Sequence, residues 1–434
     1  MTDETQPTRD AGKPQKYAAP RGTADILPDD APYWTFVRDT AERVCALFGY
    51  RRIETPLFEH AGVFLRTSGE SSDIVAKEVY LFEDRGHDML ALRPEGTASV
   101  MRAYIEHGMA SQPQPLRLFY IAPNFRYDRP QAGRYRQHHQ FGVELVGDPE
   151  PLADAEVIDL LRTFYRELGL SDFTIKINTI GDPVCRPAYI DALRAYYRPL
   201  LPGVCADCKT RFEKNPLRLL DCKEERCQSA IASAPRQRDY LCEPCRTHFE
   251  RLQAYLSALG IAFVIDERLV RGLDYYTRTV FEFHPLEEGA QSSMGSGGRY
   301  DGLVELLGGA PTPGVGFGSG IERLIINLKR QEVAVPMPRP PALYIAHLTP
   351  EAANIALALA DAARSAGLEA IVGSAGRSLK AQMRQADAKG AVFAAIIGAD
   401  EVAAGVVTLR RLATRDEQRV ALEDVPSVIR IAIP

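Results

Sequence analysis

Hydrophobic side chains recur at helical spacing over residues 28–50. They occupy every third or fourth position there: Trp34, Val37, Ala41, Val44, Cys45 and Phe48. This period places them on one face of a helix, and Gly49 is typical of a helix end. Residues 153–168 are also predicted to be helical. We therefore expect two amphipathic helices in the first part of the chain.

Between these helices the chain has short runs typical of paired strands. VYLFED and MLALR are joined by DRGHD, and LRLFYIAPNFRYD and YRQHHQFGVELVG by a loop rich in Arg, Gln and Gly. Each pair predicts a strand–turn–strand unit. Later strand-like runs are FTIKINTIGD, IAFVIDERLV, TVFEFHP and GVGFGSG, the last leading into a helix. The pattern therefore predicts a sheet with helices around it.

Changes in amino-acid composition divide the chain into segments. A polar tail opens the chain, and a later stretch carries seven of the eight cysteines and many charges, which suggests a separate helical insert. A Pro-rich linker precedes a region of alternating strands and helices, which predicts a small α/β domain with a mostly parallel sheet. The predicted segments are 1–16 (mobile tail), 17–182 and 248–329 (one interrupted domain), 183–247 (insert), 330–341 (linker) and 342–434 (α/β domain).

Composition narrows the class of protein. Hydrophobic residues make up 45% and charged residues 25% of the 434 residues, which excludes a disordered, collagen-like or disulfide-stapled chain. The net charge of −5 means that a nucleic-acid site must be a local basic patch. No run approaches the roughly 18 apolar residues of a membrane helix, and the N-terminus lacks a secretory signal. We expect a cytoplasmic protein without a membrane partner.

The segment LRPEGTAS is the first candidate for chemistry. Pro94 ends a strand and Gly96 permits a turn, so Glu95 and Thr97 can project from a strand end into a pocket. The alternative is a helix start in which Thr97 is the cap and the helix dipole stabilises Glu95. Both interpretations stay open at this point.

The second candidate is the strand–loop–strand unit around NFRYDRPQAGRYRQHHQFGVEL. Its loop combines one aspartate, Asp128, with four arginines: Arg126, Arg129, Arg134 and Arg136. Guanidinium groups suit phosphate, although a solvated hairpin tip would look the same. On the returning strand Gln140, Gly142 and Glu144 share one face, and the glycine leaves room for a polar ligand. His138 and His139 point to opposite faces, so we reject a shared metal ion.

Three further segments are rich in glycine, tyrosine and arginine. LVRGLDYYTRTVFEF brings Arg271, Tyr275 and Tyr276 together, MGSGGRYDGL contains Tyr300, and GVGFGSGIERL places Arg323 at a helix start. None matches a Walker or dinucleotide fingerprint. Each is compatible with a ligand pocket or with ordinary core, turn and surface positions.

Taken in order, these segments resemble the histidyl-tRNA synthetase family. The resemblance rests on LRPEGT, the FR…RPQ.GRYRQ.HQ stretch, RGLDYY, GGRYDGL and G.GFG.G.ERL, and it extends from about Lys16 to the end. TPLFEHAGVF, with Pro56, resembles motif 1 of class II synthetases, residues 119–144 resemble motif 2, and residues 314–328 resemble motif 3. RGLDYY and GGRYDGL are the segments that point to histidine among class II enzymes.

The resemblance implies a fold and an activity. The fold is an α+β catalytic domain, a six- or seven-stranded antiparallel sheet flanked by helices, with the helical insert and a C-terminal α/β anticodon-binding domain. The activity is the reaction of L-histidine with ATP to histidyl-adenylate and pyrophosphate, followed by transfer to the 3′ end of tRNA(His). The family also implies a homodimer formed through motif 1 and Mg²⁺ beside ATP.

The resemblance also assigns roles to residues. The histidine-binding set is Glu95, Gly96, Thr97, Arg126, Gln140, Glu144, Arg271, Tyr275, Tyr276 and Tyr300. LRPEGT would hold the α-amino group and nearby backbone, Gln140 and Glu144 would receive the amine or carboxylate side, and the tyrosines would surround the imidazole.

Three arginines carry the implied catalysis. Arg126 would bind the α-phosphate of ATP, Arg323 the γ-phosphate end, and Arg271 would act electrostatically at the α-phosphate. Two arginines on opposite sides of that phosphorus would stabilise its developing charge. The alternative function is a catalytically silent regulatory subunit of ATP phosphoribosyltransferase, but such proteins generally lack the anticodon-binding domain and lose motif arginines.

The cysteines of the insert leave a metal site open. Two CxxC pairs, Cys205/Cys208 and Cys242/Cys245, could close a Cys₄ zinc site across 33 intervening residues. Cys222 and Cys227 blur the choice of ligands. Reduced thiols without a metal are the alternative, and the resemblance requires no zinc.

Basic residues of the C-terminal domain are unevenly placed. Arg377, Lys380 and Arg384 are three and four residues apart, so we expect them to share a helical face. A solvated surface would explain this spacing equally well. The resemblance favours contact with the anticodon, because RNA loops are held by phosphate contacts and base stacking.

Overall fold

The computed structural model describes residues 16–67, 78–131, 133–286 and 293–433. Apart from Lys16, the predicted tail lies outside these residues. The chain divides into two compact units, one ending at Pro336 and the other beginning at Met337. Among the described helices, none combines the length and hydropathy that a membrane crossing requires.

The first unit is built on a large sheet. Its strands are β1 (Arg51–Arg52), β2 (Phe58–His60), β3 (Tyr80–Glu83), β4 (Met89–Leu92), β5 (Leu116–Phe125), β6 (Gln137–Val146), β7 (Phe173–Thr179), β8 (Val264–Ile265), β9 (Thr277–Pro285), β10 (Gly295–Arg299) and β11 (Gly314–Gly320). Eight of them form one sheet in the order β1-β5-β6-β11-β10-β9-β7-β8. The other three form a small antiparallel sheet, β2-β4-β3, which contains the first predicted hairpin.

The large sheet is mixed, which corrects the prediction of an antiparallel sheet of six or seven strands. Its six central strands are antiparallel, but β1 pairs parallel with β5 and β8 pairs parallel with β7. Both parallel pairs are joined by long connections, as parallel pairing requires. Each edge strand has only two residues, so no period could reveal it in the sequence.

Helices cover both sides of this sheet. They are α1 (Ala31–Leu47), α2 (Ala61–Thr67), α3 (Thr97–Glu106), α4 (Pro151–Glu167), α5 (Arg186–Tyr197), α6 (Ala206–Lys214), α7 (Glu225–Ala232), α8 (Glu243–Ala258), α9 (Leu303–Leu306) and α10 (Ile321–Arg330). The apolar faces of α1, α4, α8 and α10 form the main core with one face of the sheet. A second core forms around α3 and the opposite face.

Strand β6 shows how the two faces are divided. Phe141, Val143 and Leu145 are buried in the main core. The alternate residues Gln140 and Glu144 lie on the opposite face, as the period of two predicts. This second face carries the polar residues discussed below.

The cysteines of the insert form two groups, which corrects the predicted pairing of the two CxxC motifs. Cys205 and Cys208 lie with Cys222 and Cys227, whereas Cys242 and Cys245 lie with Asp182 and Cys185. Cys242 and Cys245 belong to the start of α8, which packs on α4, so the second CxxC is tied to the main core instead.

The second unit is a mixed α/β domain. Its strands are β12 (Leu343–His347), β13 (Ala370–Val372), β14 (Phe393–Ile397), β15 (Val406–Arg411) and β16 (Glu417–Ala421), and its helices are α11 (Pro350–Ser365), α12 (Leu379–Ala388), α13 (Ala399–Ala404) and α14 (Val425–Ala432). In the order β13-β12-β14-β15-β16, the first three strands are parallel and the last two antiparallel. The predicted mostly parallel sheet is therefore only half correct, because β15 and β16 form a hairpin.

The basic segment of the second unit differs from the prediction at one residue. Helix α12 is capped by Ser378, whose hydroxyl accepts a hydrogen bond from the Ala381 amide. Arg377 therefore lies before the helix, and only Lys380 and Arg384 share its surface as i and i+4 neighbours. All three side chains are exposed.

A buried ion pair ties α4 to β10. Arg299 and Asp154 are both fully buried, and the guanidinium of Arg299 donates to the Asp154 carboxylate over 2.6 Å and to the carbonyl oxygens of Asp148 and Glu150. Burial alone would raise the pKa of Asp154, but the charge and hydrogen bonds of Arg299, together with those of His248, lower the pKa to about 2. Arg299 belongs to GGRYDGL, so part of that motif is structural.

We expect Arg299→Met to destabilise the first unit by about 3–5 kcal/mol, because it leaves the Asp154 carboxylate buried without its partner. Urea denaturation followed by fluorescence of Trp34, the single tryptophan of the chain, reports on this unit. Arg43→Met is the control, since its exposed pair with Glu167 is worth at most about 1 kcal/mol. Equal losses in the two variants would contradict the structural role of Arg299.

Candidate active site

A cavity of about 700 Å³ opens on the second face of the large sheet, between the sheet, the start of α3 and the insert. Nine of the predicted site residues line it: Glu95, Thr97, Arg126, Gln140, Arg271, Tyr275, Tyr276, Tyr300 and Arg323. The other two predicted residues, Gly96 and Glu144, lie directly behind this wall, next to Tyr120 and Thr97. The fold thus brings together segments that are up to 228 residues apart in the sequence.

Alternate glycines of β11 create room for polar side chains of the neighbouring strands. Their missing side chains would point into the second face of the sheet, where a Cβ atom would overlap an existing group. The three overlaps are Gly314 with the Tyr300 ring, Gly316 with the Glu144 carboxylate, and Gly318 with the Gln140 amide. These three glycines of motif 3 are therefore required by packing.

Glu95 is both a helix cap and part of the cavity wall. Its carboxylate accepts hydrogen bonds from the amides of Thr97 (2.6 Å) and Ala98 (2.9 Å) at the start of α3. Gly96 takes the N-cap position, so Thr97 is not the cap as the alternative interpretation supposed. Burial raises the pKa of Glu95 in spite of these hydrogen bonds.

Glu144 is fully buried behind the wall. Its carboxylate accepts hydrogen bonds from the Thr97 hydroxyl (2.8 Å) and the Tyr300 hydroxyl. Burial raises its pKa to about 8, although both hydrogen bonds act in the opposite direction and nearby Glu95 adds to the increase. Within the described residues, neither carboxylate accepts a hydrogen bond from a cationic side chain, so this end of the cavity favours a cationic ligand.

Tyr120 is a wall residue that the sequence did not indicate. It pairs with Gly142 across β5 and β6, and its ring lies against the Cα atoms of both Gly142 and Gly96. The space beside Gly142 is therefore filled by this ring, which corrects the expectation that it is open to a ligand. The only sign of Tyr120 in the sequence is that two glycines lie opposite it. This sign can be recognised only when the register of β5 with β6 is known.

Three tyrosines form an aromatic wall next to the carboxylates. The rings of Tyr275 and Tyr276 lie 4.7 Å apart between centroids, and Tyr275 meets Tyr300 edge to face at 5.9 Å. All three are buried. Flat rings with hydroxyl groups can surround an aromatic polar ligand and hydrogen-bond to it.

Arg271 is fixed in place on the floor of the cavity. It donates to Ser296 Oγ over 2.8 Å and pairs with Glu282, and its guanidinium lies 5.5 Å from the centroid of the Tyr276 ring. A side chain held on three sides loses little entropy when it meets a ligand.

Three arginines, Arg126, Arg134 and Arg323, lie together at the other end of the cavity. Arg126 donates to the Pro94 carbonyl (2.8 Å) and Arg323 to the carbonyl groups of Gly133 and Ser293 (both 2.9 Å). Burial lowers the pKa of Arg323, and the charges of Arg134 and Arg126 lower it further. An anion bound here would relieve this repulsion, so the geometry suits a polyphosphate.

The two adjacent histidines of β6 face different surroundings, as expected. His138 lines the cavity, and burial together with the charges of Arg126 and Arg323 lowers its pKa to about 3. His139 instead contacts Glu322 (2.9 Å) and the Trp34 ring.

Comparison with known proteins identifies the family. A family model described as Histidyl-tRNA synthetase matches residues 22–184 and 214–324. The chain belongs to the histidyl-tRNA synthetase family. A model described as Anticodon binding domain matches residues 342–431. The family predicted from the motifs is thereby confirmed.

Individual members of the histidyl-tRNA synthetase family are similar over nearly the whole chain. A Histidine–tRNA ligase of Dehalococcoides mccartyi is 52% identical over 94% of this chain and 98% of its own length. One from Desulforamulus reducens is 47% identical over 95% and 98%. The crystal structure of apo histidyl-tRNA synthetase from S. aureus has a TM-score of 0.80 at 36% identity and covers 95% of this chain and all of its own. The predicted class II fold with a C-terminal anticodon-binding domain is confirmed.

We expect Gly316→Ala to lower the free energy of unfolding of the first unit by about 1–3 kcal/mol, because the added methyl group overlaps the Glu144 carboxylate. Trp34 fluorescence in urea measures the change. Gly302→Ala is the matched control, since a Cβ there has no atom within 4 Å and should shift stability by no more than about 0.5 kcal/mol. A Gly316→Ala variant as stable as this control would contradict the packing argument.

Proposed function

We propose that the chain is a histidine–tRNA ligase of the ATP-dependent, AMP-forming type. The observation that carries the proposal is one cavity with a tyrosine-lined, carboxylate-rich end and an arginine-rich end. The first end suits an amino acid with an aromatic cationic side chain, and the second suits ATP. Similarity to histidine–tRNA ligases over 94% of the chain supports the same activity.

The family resemblance assigns the roles at the histidine end. Glu95, Gly96 and Thr97 hold the α-amino group and adjacent backbone, and Gln140 and Glu144 take the amine or carboxylate side. Tyr275, Tyr276 and Tyr300 surround the imidazole. A site that hydrogen-bonds the ring nitrogens leaves its own polar groups unpaired with another side chain, which can reject that side chain by several kcal/mol.

The first reaction joins the two ends of the cavity. A carboxylate oxygen of histidine attacks the α-phosphorus of ATP, forms the acyl–phosphate bond and displaces pyrophosphate. The carboxylate is already the nucleophile, so no general base is required. Arg126 and Arg271 stabilise the charge on the α-phosphoryl oxygens, and Arg323 holds the γ-phosphate end.

The second reaction transfers histidine to RNA. A hydroxyl group of the 3′-terminal ribose of tRNA(His) attacks the carbonyl carbon of the adenylate and releases AMP. The second unit binds the anticodon, in keeping with its match to an anticodon-binding domain. Exposed Arg377, Lys380 and Arg384 are its proposed phosphate contacts.

Mg²⁺ fits this cavity only as a partner of ATP. Within the described part of the chain, the groups of three or more residues that could ligate a metal contain cysteine and lie in the insert or at its ends. Among the carboxylates of the cavity wall, Glu282 and Glu322 interact with Arg323, so they would hold Mg²⁺ together with the phosphates. The ion supplies neutralisation of the pyrophosphate leaving group.

A homodimer and a cytoplasmic location complete the proposal. The small sheet β2-β4-β3, which includes part of motif 1, exposes several large apolar side chains: Leu57, Phe58, Leu81, Phe82 and Met89. The rings of Phe58 and Phe82 lie 6.3 Å apart between centroids, and exposed apolar groups that lie together mark interaction surfaces. This supports pairing of two copies through motif 1.

We expect Arg271→Ala to reduce histidine-dependent ATP–pyrophosphate exchange by at least about 10²-fold, because one of two charges at the α-phosphate is lost. The fold should remain intact, which thermal unfolding checks. Arg268→Ala, three residues earlier and exposed, is the control and should exchange normally. Near-normal exchange by Arg271→Ala would remove this residue from the mechanism.

Deletion of the residues after Pro338 separates the two reactions. The first unit is compact by itself and contains the whole cavity, so histidine-dependent pyrophosphate exchange should remain measurable. Charging of tRNA(His) should be sharply weaker, because the proposed anticodon contacts are gone. If the shortened and full-length proteins charge tRNA(His) equally well, the assignment of the second unit is wrong.

A further inference from the structure

Four thiols converge in the core of the insert. Cys205 lies at the N-cap of α6, Cys208 within α6, Cys222 at the end of a short 3₁₀ helix and Cys227 in α7. Their Sγ atoms all lie within 4.8 Å of one another, and all four residues are buried. Three separate stretches of chain thus deliver four ligand atoms to one point.

The spacing of these sulfur atoms fits a metal and does not fit a disulfide. Sγ of Cys205 and Sγ of Cys222 are 3.7 Å apart. A tetrahedral site with Zn–S bonds of about 2.3 Å has S···S edges of about 3.8 Å, whereas bonded sulfurs lie about 2.05 Å apart. The 3.7 Å edge, and the 4.8 Å limit on the distances among all four sulfurs, are compatible with a ZnS₄ tetrahedron.

Backbone amides already point at the sulfurs. The Cys208 amide donates to Cys205 Sγ over 3.3 Å, and the Cys205 amide donates to Cys227 Sγ over 3.4 Å. Such donors stabilise thiolates and orient them as ligands. Helices α6 and α7 have only nine and eight residues and share one small core. A fold of this size usually needs a metal or another crosslink for stability.

The cluster braces a segment that reaches the candidate active site. Between the second and third cysteines, Asn215 Nδ2 donates to Asp274 Oδ1 over 2.7 Å, and Arg218 Nη1 donates to the Gly272 carbonyl over 3.3 Å. Gly272 and Asp274 belong to RGLDYY, which also carries Arg271 and the two tyrosines of the cavity wall. The ligands at both ends of this segment therefore fix the position of that loop.

We propose that Cys205, Cys208, Cys222 and Cys227 bind one structural Zn²⁺ ion and that this site positions the RGLDYY loop through Asn215 and Arg218. The metal site depends only on the geometry of the insert. Its effect on histidine binding rests on the proposed function.

Metal content tests the site without reference to activity. The full-length protein, purified without chelator, should contain one zinc equivalent more than Cys208→Ser/Cys227→Ser by mass spectrometry. Cys45→Ala, which removes a buried thiol from α1, is the matched control and should retain the zinc of the unchanged protein. Equal zinc in the double variant and the unchanged protein would overturn the proposal.

Cobalt keeps the test decisive if the double variant fails to fold. Cys242→Ser/Cys245→Ser removes the thiols of the other cluster except Cys185, so four thiolates around one ion can come only from the proposed site. Added Co²⁺ should then give the intense charge-transfer and tetrahedral d–d absorption of a tetrathiolate site. Absence of this spectrum, with no uptake of Zn²⁺, would equally overturn the proposal.

The positioning role has its own readout. Asn215→Ala should raise the KM for histidine in pyrophosphate exchange by about tenfold, because loop contacts worth one or two hydrogen bonds are lost. Its KM for ATP and its zinc content should not change. An unchanged KM for histidine would refute the positioning role alone. If the unchanged protein has no exchange activity at all, the proposed function is refuted instead.

Discussion

Glu144, which has no cationic partner among the residues that the structure describes, sets the character of the candidate active site. Glu144 can occupy its position because Gly316 opposite it has no side chain, and the hydroxyls of Thr97 and Tyr300 hold it there. The cost of burying this group appears as a pKa of about 8. A cationic substrate would relieve that cost, so we propose that the glycines of β11, the tyrosines and the two carboxylates act as one unit for amino-acid recognition.

The opposite end of the cavity shows the inverse arrangement. Arg126, Arg134 and Arg323 repel one another, and a polyphosphate would relieve them as a cation relieves Glu144. Arg271 stands apart, fixed by Glu282 and Ser296 on a loop that the insert braces. In the proposed reaction, opposite charges at the two ends orient histidine and ATP so that carboxylate and α-phosphate meet. The insert contributes to this proposed mechanism through its hydrogen bonds to the loop that carries Arg271.

Residues with strong local signals could be predicted from the sequence. The period of two along β6 predicts Gln140 and Glu144 on one face. The motifs indicate eleven site residues, of which nine line one cavity and two lie directly behind its wall. Features that depend on contacts between distant parts of the chain could not be predicted from the sequence. Tyr120 needs the register of β5 with β6, the edge strands are two residues long, and the cysteine groups depend on where α8 packs. Arg377 was placed on α12 because spacing alone does not show that Ser378 caps the helix.

Activation of histidine with ATP in this cavity is the step on which the other assignments depend. Pyrophosphate exchange by the full-length protein, measured with each amino acid in turn, tests it most directly. We expect exchange to depend on histidine. With other amino acids, including those similar in size, exchange should be weaker by several powers of ten. Exchange that is absent with every amino acid, or that another amino acid supports as well as histidine does, would contradict it.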